Sequence, residues 1–137
     1  MAAAQREVVI DATPSKVWSL LGDVTTWPSW NPRITQGRML DGEEFFPGAT
    51  FQYVCDGKPA VGTITQVERL KTLAWRTGNS RQSFRLQADG DKTRVTGAAE
   101  ITGFMASLRK SKSEQEAANI CETWLGGLKQ GAEGKGA

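Results

Sequence analysis

The residues best suited to chemistry are a single tyrosine and two cysteines, in a chain of 137 residues that contains no histidine. Residues 50–56 alternate in hydrophobicity, which predicts a strand with Phe51, Tyr53 and Cys55 on one face. A buried phenol hydroxyl needs a hydrogen-bond partner. In a ligand cavity Tyr53 would orient a carbonyl or phenol, or act as an acid. The alternative is a tyrosine at the rim that bonds to water or backbone.

The absence of histidine removes the commonest proton shuttle near neutral pH and the commonest zinc ligand. Cys55 therefore cannot belong to a cysteine–histidine nucleophile pair. Cys55 and Cys121 lie far apart in the sequence and match no zinc spacing, so we expect two buried thiols in a reducing cytoplasm. No metal site and no cofactor are predicted.

Charged side chains offer few further candidates. The predicted strand phase turns Arg76, Arg85 and Glu100 outward, where they would be solvated. Glu68 stays open, because a bulge near it would change the phase, and a buried carboxylate there would have a raised pKa. The acidic and aromatic loop at 43–46 is either a lid over a cavity or a solvated turn with one anchored aromatic ring.

The overall charge excludes two classes of partner. The chain has 17 lysine and arginine residues and 15 aspartate and glutamate residues, which gives a net charge of +2. This charge is too small to indicate a protein that binds nucleic acids or membrane surfaces. No stretch approaches the roughly 20 apolar residues that a membrane span needs, and the N-terminus becomes charged at Arg6 before any apolar run. We expect a soluble, cytoplasmic monomer or homodimer without membrane insertion.

The chain opens with a strand and two short helical segments. Alternation predicts a strand at 6–11, and Thr13 can cap a helix that begins with Pro14. Gly22 suits the left-handed residue that ends a helix. Asp23 can cap a second turn that Pro28 stops, and two tryptophans follow too closely to be casual surface residues.

A meander of about six antiparallel strands follows. Gly37 marks a candidate bulge in the first of them. After Gly62 the phase is undecided, because residues 62, 64 and 66 compete with residues 63, 65 and 67 for the inner face. Turn signals at Asp56-Gly57, Gly78-Asn79 and Gly90-Asp91 separate strands predicted at 34–40, 50–56, 60–68, 71–77, 83–88 and 93–102.

The C-terminal third changes to a helical period. From about Met105 to Gln130 the apolar residues Ala117, Ile120, Cys121, Trp124 and Leu128 recur at helical spacing, which predicts one long helix against the concave face of the sheet. Residues 1–130 are therefore predicted to form a single domain. The small residues at 131–137 are predicted to form a flexible tail.

Strand, two short helices, strand meander and one long helix is the helix-grip order of an α+β fold with about seven strands. The chain resembles the SRPBCC superfamily, also called START-like or polyketide-cyclase-like. The resemblance covers nearly the whole chain and rests on these stretches: Ile10-Asp11-Ala12 with Pro14, Val17-Trp18 and Leu21; Asp23, Trp27, Trp30 and Pro32; Pro47-Gly48 and Phe51; Val67-Glu68 with Leu73, Trp75 and Gly78; Thr93 to Thr96 with Gly103; and Gly127 to Lys129.

The resemblance implies an internal cavity between sheet and long helix that accepts a small hydrophobic or aromatic molecule. Gly97 and Ala99 would leave space on the concave face, and Trp75 and Trp124 would serve either core packing or ligand stacking. The expected ligand-binding residues are Trp30, Phe51, Tyr53, Cys55, Trp75, Phe84, Gly97, Ala99, Cys121 and Trp124.

These residues and the resemblance together imply three possible functions. The first is binding without chemistry, as a carrier or sensor of an apolar or aromatic compound, which needs only a cavity and one or two polar groups. The second is a polyketide cyclase or aromatase kind of enzyme, with Tyr53 as the first candidate for the assisting donor and Arg33 or Asn31 next. The third is a protein-interaction or chaperone-cofactor role through the long helix.

Overall fold

A computed structural model describes residues 2–103 and 108–134 of the chain. Its elements follow the predicted order. They are β1 (Ala2–Ile10), α1 (Pro14–Leu21), a 3₁₀ turn (Val24–Thr26), α2 (Trp27–Trp30), β2 (Ile34–Met39), β3 (Thr50–Cys55), β4 (Lys58–Glu68), β5 (Thr72–Thr77), β6 (Ser80–Asp89), β7 (Lys92–Ile101) and α3 (Lys110–Glu133).

The seven strands form one antiparallel sheet in the order β1-β7-β6-β5-β4-β3-β2. The α+β helix-grip fold expected from the sequence is confirmed: the curved sheet carries α3 on its concave side, above β1 and β7. Strand β1 is longer than predicted, because Ala2 already pairs with Ile101 and the ladder runs to the pair Ile10–Thr93.

The two short helical segments begin as predicted and α1 ends at Gly22 as predicted, but the conformation of Gly22 and the role of Pro28 differ from the expectation. Thr13 Oγ1 accepts a hydrogen bond from the Lys16 amide at 3.3 Å, and the Asp23 carboxylate accepts one from the Thr25 amide at 3.0 Å. Gly22 is not left-handed, since its φ is −80°; it is glycine because a Cβ there would lie 2.8 Å from the Trp18 indole. Pro28 does not stop a turn but lies in the first turn of α2, where its missing N–H costs nothing.

Two strands contain a register shift, and the one in β4 fixes the phase that the sequence left open after Gly62. The register of β2 shifts between Ile34 and Gln36, not at Gly37. In β4 the shift lies between Ile64 and Gln66, so Ile64 is buried before it and Val67 packs against the core after it. Glu68 is consequently exposed and forms an ion pair with Lys71 at 3.4 Å.

Helix α3 extends beyond its predicted end at residue 130. It continues to Glu133, Ala132 is buried, and Gly134 closes it in the left-handed conformation with φ of 74°. The predicted tail is therefore helical at residues 131–133, whereas residues 135–137 lie outside the described part of the chain. The helix starts at Lys110, and the predicted start near Met105 also lies outside the described residues.

The C-terminal end of α3 is tied to the end of β1 by one buried carboxylate. Glu133 Oε2 accepts a hydrogen bond from Lys129 Nζ at 2.6 Å and another from the Asp11 amide at 2.9 Å. Lys129 Nζ also donates to the Val9 carbonyl at 2.9 Å. Because the Glu133 side chain is only 4% exposed, this network fixes where the helix lies along the sheet.

Candidate functional site

Trp27 is the centre of the space between sheet and helix. Its ring contacts those of Phe45, Phe51, Trp75 and Trp124 at centroid distances from 4.8 to 6.1 Å. The side chain is fully buried, and its Nε1 donates to the Leu21 carbonyl at 3.0 Å. We call this group of rings the aromatic core. It fills the closed end of the concave side with hydrophobic side chains.

Small residues of α3 allow α2 to bring Trp27 into this position. A Cβ at Gly127 would lie under 3.0 Å from the Trp30 carbonyl oxygen, and one at Gly131 would lie 2.8 Å from Trp30 Cβ. The backbone of α2 thus contacts α3 directly. Trp30 follows on the same short helix, and its ring lies 5.5 Å from that of Trp124.

The small residues expected to leave space are packed against neighbours. A Cβ at Gly97 would lie 3.3 Å from Leu125 and from Phe84, so the Leu125 side chain occupies that position. Ala99 forms a second, separate cluster with Ala117 and Cys121. There the Cys121 thiol lies 3.7 Å from the Ala4 carbonyl, which brings α3 close to β1.

Polar groups gather at the other end of the concave side, where strands β3 and β5 end. We call this group, formed by Tyr53, Cys55, Trp75, Thr77 and Gln82, the polar mouth. Tyr53 Oη donates a hydrogen bond to Thr77 Oγ1 at 3.2 Å. Gln82 pairs with Trp75 across β5 and β6. Cys55, Thr77 and Gln82 are only partly buried, so the mouth is wetter than the aromatic core.

Trp75 carries the one unusual polar atom of the mouth. Its side chain is buried, and Nε1 has no hydrogen-bond partner among the described residues. The indole N–H lies near the Tyr53 oxygen and lowers the pKa of that phenol, although the two groups do not reach hydrogen-bond geometry. A buried N–H without a partner costs free energy, and such groups are rare in folded proteins.

Electrostatics keep the mouth uncharged at neutral pH. Burial raises the pKa of Tyr53 more than its hydrogen bond with Thr77 lowers it, so the phenol remains a neutral donor. Burial likewise raises the pKa of the Cys55 thiol, with a further contribution from Asp56. A protonated thiol is a poor nucleophile.

A charged pair borders the mouth on the β2 side. Arg33 Nε donates to the two Asp56 carboxylate oxygens at 3.1 and 3.0 Å, and its Nη2 contacts the same carboxylate. The hydrogen bond from Arg33 lowers the pKa of Asp56, and Glu116 of α3 lies near enough to act on Arg33. The guanidinium charge is thus already compensated.

The predicted site residues divide among these regions. Ring contacts connect Trp30, Phe51, Tyr53, Trp75, Phe84 and Trp124, whereas Cys55 lies at the mouth and Gly97, Ala99 and Cys121 lie beneath α3. Thr77 and Gln82 were not among the predicted residues, although each is in phase with a predicted neighbour, Trp75 or Phe84. Of the outward candidates, Arg76 and Arg85 are exposed and Glu100 is half-buried.

The loop at 43–46 lies beside the closed end, away from the mouth. Phe45 packs against Trp27 and Phe51, whereas Phe46 is 46% exposed. The loop borders a surface groove of about 590 Å³ with Trp18 and Asp23. It is therefore a solvated turn with one anchored aromatic ring. Across residues 2–103 and 108–134, no three histidine, cysteine, aspartate or glutamate side chains come together to hold a metal ion.

Comparison with known proteins gives the family. A family model described as polyketide cyclase / dehydrase and lipid transport matches residues 1–132. The chain belongs to this family. Its fold and family are those of a ligand-binding SRPBCC domain. No curated protein matches the chain. Among the described helices, none has both the length and the hydrophobicity that crossing a bilayer requires.

Solved structures of similar fold come from several bacteria. The protein XoxI from Bacillus cereus is 16% identical with a TM-score of 0.77, over 95% of this chain and 94% of that one. A START superfamily protein from Mycobacterium smegmatis is 16% identical with a TM-score of 0.75, over 98% and 99%. The Aha1 dimer from Colwellia psychrerythraea is 19% identical with a TM-score of 0.69, over 98% of each chain. At these sequence identities, the similarity to the solved structures shows a common fold alone.

Proposed function

We propose that this chain binds a small hydrophobic or aromatic molecule at the polar mouth, as a carrier or sensor. The proposal is based on a change in burial along the concave face, from fully buried aromatic rings to partly buried polar side chains. Trp27 is fully buried, whereas Cys55, Thr77 and Gln82 retain contact with solvent. An apolar wall beside a few polar groups is the usual composition of a small-molecule site.

Both parts of such a ligand would find complementary surface. The rings of Tyr53 and Trp75 pack against Trp27 at 5.7 and 5.1 Å, so their apolar bodies continue the wall of the aromatic core. Their polar atoms lie at the mouth beside Thr77. A ligand that extends the aromatic wall gains burial of apolar area and keeps its polar end at the rim.

A cyclase or dehydratase activity is the alternative, and the position of Tyr53 favours it. The family description includes such enzymes, and the Tyr53 hydroxyl is a neutral hydrogen-bond donor at the mouth. The other titratable groups fit binding better than proton transfer. The Cys55 thiol is held protonated and the Asp56 carboxylate is bound by Arg33.

The test uses two substitutions on the same strand. Gln82 faces the concave side, whereas Gln87 is exposed; Gln82→Phe fills the mouth and Gln87→Phe leaves it open. Each protein is analysed by native mass spectrometry with organic extraction, and by titration with the neutral fluorescent probe N-phenylnaphthylamine. We expect binding of a co-purified compound or of the probe to wild type and to Gln87→Phe, and loss of it in Gln82→Phe.

Two outcomes would overturn the proposal. One is a wild-type protein that carries no compound and binds no probe. The other is equal binding by the Gln82→Phe and Gln87→Phe variants, which would place the ligand elsewhere on the molecule. If a compound is recovered, its conversion by wild type but not by Tyr53→Phe would establish the enzyme alternative.

A further inference from the structure

Two hydrogen-bond donors meet at the polar mouth, and one of them has no acceptor. Tyr53 Oη is bonded to Thr77, whose own hydroxyl can donate in return when the phenol proton turns elsewhere. Trp75 Nε1 has no partner within the described residues, although Trp75 is only 1% exposed. An indole N–H can only donate, and the Tyr53 oxygen beside it lies outside hydrogen-bond geometry, so the N–H lacks a well-placed acceptor.

Packing around the two rings restricts how a ligand approaches. Trp75 is stacked on Phe84 at 5.6 Å on one side and lies against Trp27 at 5.1 Å. Tyr53 is stacked on Phe51 at 5.8 Å. The neighbouring rings cover these faces, and the N–H and O–H bonds lie in the planes of their own rings. A ligand atom therefore meets both donors at the ring edges.

We propose that the Trp75 N–H and the Tyr53 O–H together bind one uncharged oxygen acceptor, such as a ketone, quinone or ester carbonyl, on a flat aromatic ligand. This inference rests on the proposed function and names the class of molecule that the polar mouth takes. It assigns Trp75 and Tyr53 as residues that determine specificity.

The charges around the mouth favour an uncharged acceptor over a carboxylate. Two neutral donors do not compensate the desolvation of an anion that binds against the buried side chains of Tyr53 and Trp75. The nearby cation, Arg33, is already bound by Asp56. Glu116 of α3 adds a smaller compensation of the Arg33 charge. A carbonyl oxygen, with two lone pairs and no net charge, matches two donors.

A pair of ligands that differ in one group tests this inference. Acetylnaphthalene carries a ketone, and isopropylnaphthalene has nearly the same shape without an acceptor. Equilibrium dialysis gives the dissociation constant of each for wild type, Tyr53→Phe and Trp75→Phe. The ratio of the two constants cancels effects of substitution on packing or cavity size, because both ligands experience them.

We expect wild type to favour the ketone by roughly tenfold, and each substitution to reduce that preference by about three- to tenfold, the value of one hydrogen bond. Equal binding of both ligands to wild type would overturn the acceptor assignment and leave the proposed function standing. Binding of neither ligand would count against the proposed function itself. If only Trp75→Phe left the ratio of the two dissociation constants unchanged, the role of Trp75 would be overturned. If Trp75→Phe does not fold, the ratio measured for Tyr53→Phe serves as the test.

Discussion

The two ends of the concave face are built from similar residues but are packed differently. At the closed end, Trp27 enters from α2 and fills the space between sheet and helix with its ring. At the polar mouth Trp27 and Trp124 still contact the rings of Tyr53 and Trp75, whereas Cys55, Thr77 and Gln82 beside them are only partly buried. The comparison shows that a helix-grip sheet can be a sealed core at one end while its other end keeps polar groups available.

Removal of the Trp27 ring tests the difference in packing between the two ends with the largest expected effect. Trp27→Ala deletes a fully buried side chain in contact with five other rings. We expect the free energy of unfolding to fall by about 3–5 kcal/mol, measured by urea denaturation. Tyr53→Phe, which keeps its ring at the mouth, should cost about 1 kcal/mol or less. Similar losses for the two variants would contradict a packing difference between the ends.

Two adjacent glycines of α3 test how the closed end is sealed. A Cβ at Gly127 would collide with the Trp30 carbonyl, whereas one at Gly126 would meet nothing within 4 Å. We expect Gly127→Ala to destabilise by about 1–3 kcal/mol. Gly126→Ala should stabilise by about 0.5–1 kcal/mol, because alanine favours the helix. Thermal denaturation of both variants measures this, and a tolerated Gly127→Ala would mean that α2 does not contact α3 closely.

Alkaline pH tests how far Tyr53 is buried at the mouth. Burial raises the native pKa of Tyr53, so the native state holds this proton more tightly than the unfolded chain. The associated stability is complete below the unfolded pKa of about 10 and is lost as pH rises from there through the native pKa. We expect a shallower alkaline loss of stability in Tyr53→Phe than in wild type.

The chain contains no other tyrosine, so the phenolate absorbance reports Tyr53 alone. Cys55 and Cys121 also have raised pKa values, but they contribute to both proteins and cancel in the difference. A wild-type phenol that titrates at or below the ordinary tyrosine value would show that the mouth is open water.

Local sequence signals predicted the elements well because their causes are local. Alternation located the strands, Thr13 and Asp23 acted as caps, and helical spacing located α3. The long end of α3 was missed because Ala132 is buried by tertiary packing that a small-residue sequence does not reveal. The left-handed conformation predicted for Gly22 was wrong for a local reason, because the indole of Trp18, one helical turn earlier, leaves no room for a side chain there.

The candidate site was harder to predict for a different physical reason. The alternation of hydrophobic residues along β3 and β5 correctly predicted that the side chains of Tyr53 and Trp75 are buried. Phase does not say which side chains from other elements meet them, so Trp27 at the centre of the aromatic core was not among the expected ligand-binding residues. The space expected beside Gly97 is likewise taken by Leu125, a residue that is distant in sequence.

The most direct test follows the indole N–H signals of the five tryptophans by two-dimensional NMR. Each signal is assigned by a tryptophan-to-phenylalanine variant, and acetylnaphthalene is then titrated into the wild-type protein. We expect the Trp75 indole proton, which gains an acceptor, to shift most. The Trp27 indole proton, already bonded to the Leu21 carbonyl, should barely move. A largest shift at Trp27, or binding without any shift at Trp75, would contradict the assignment of the polar mouth as the binding end.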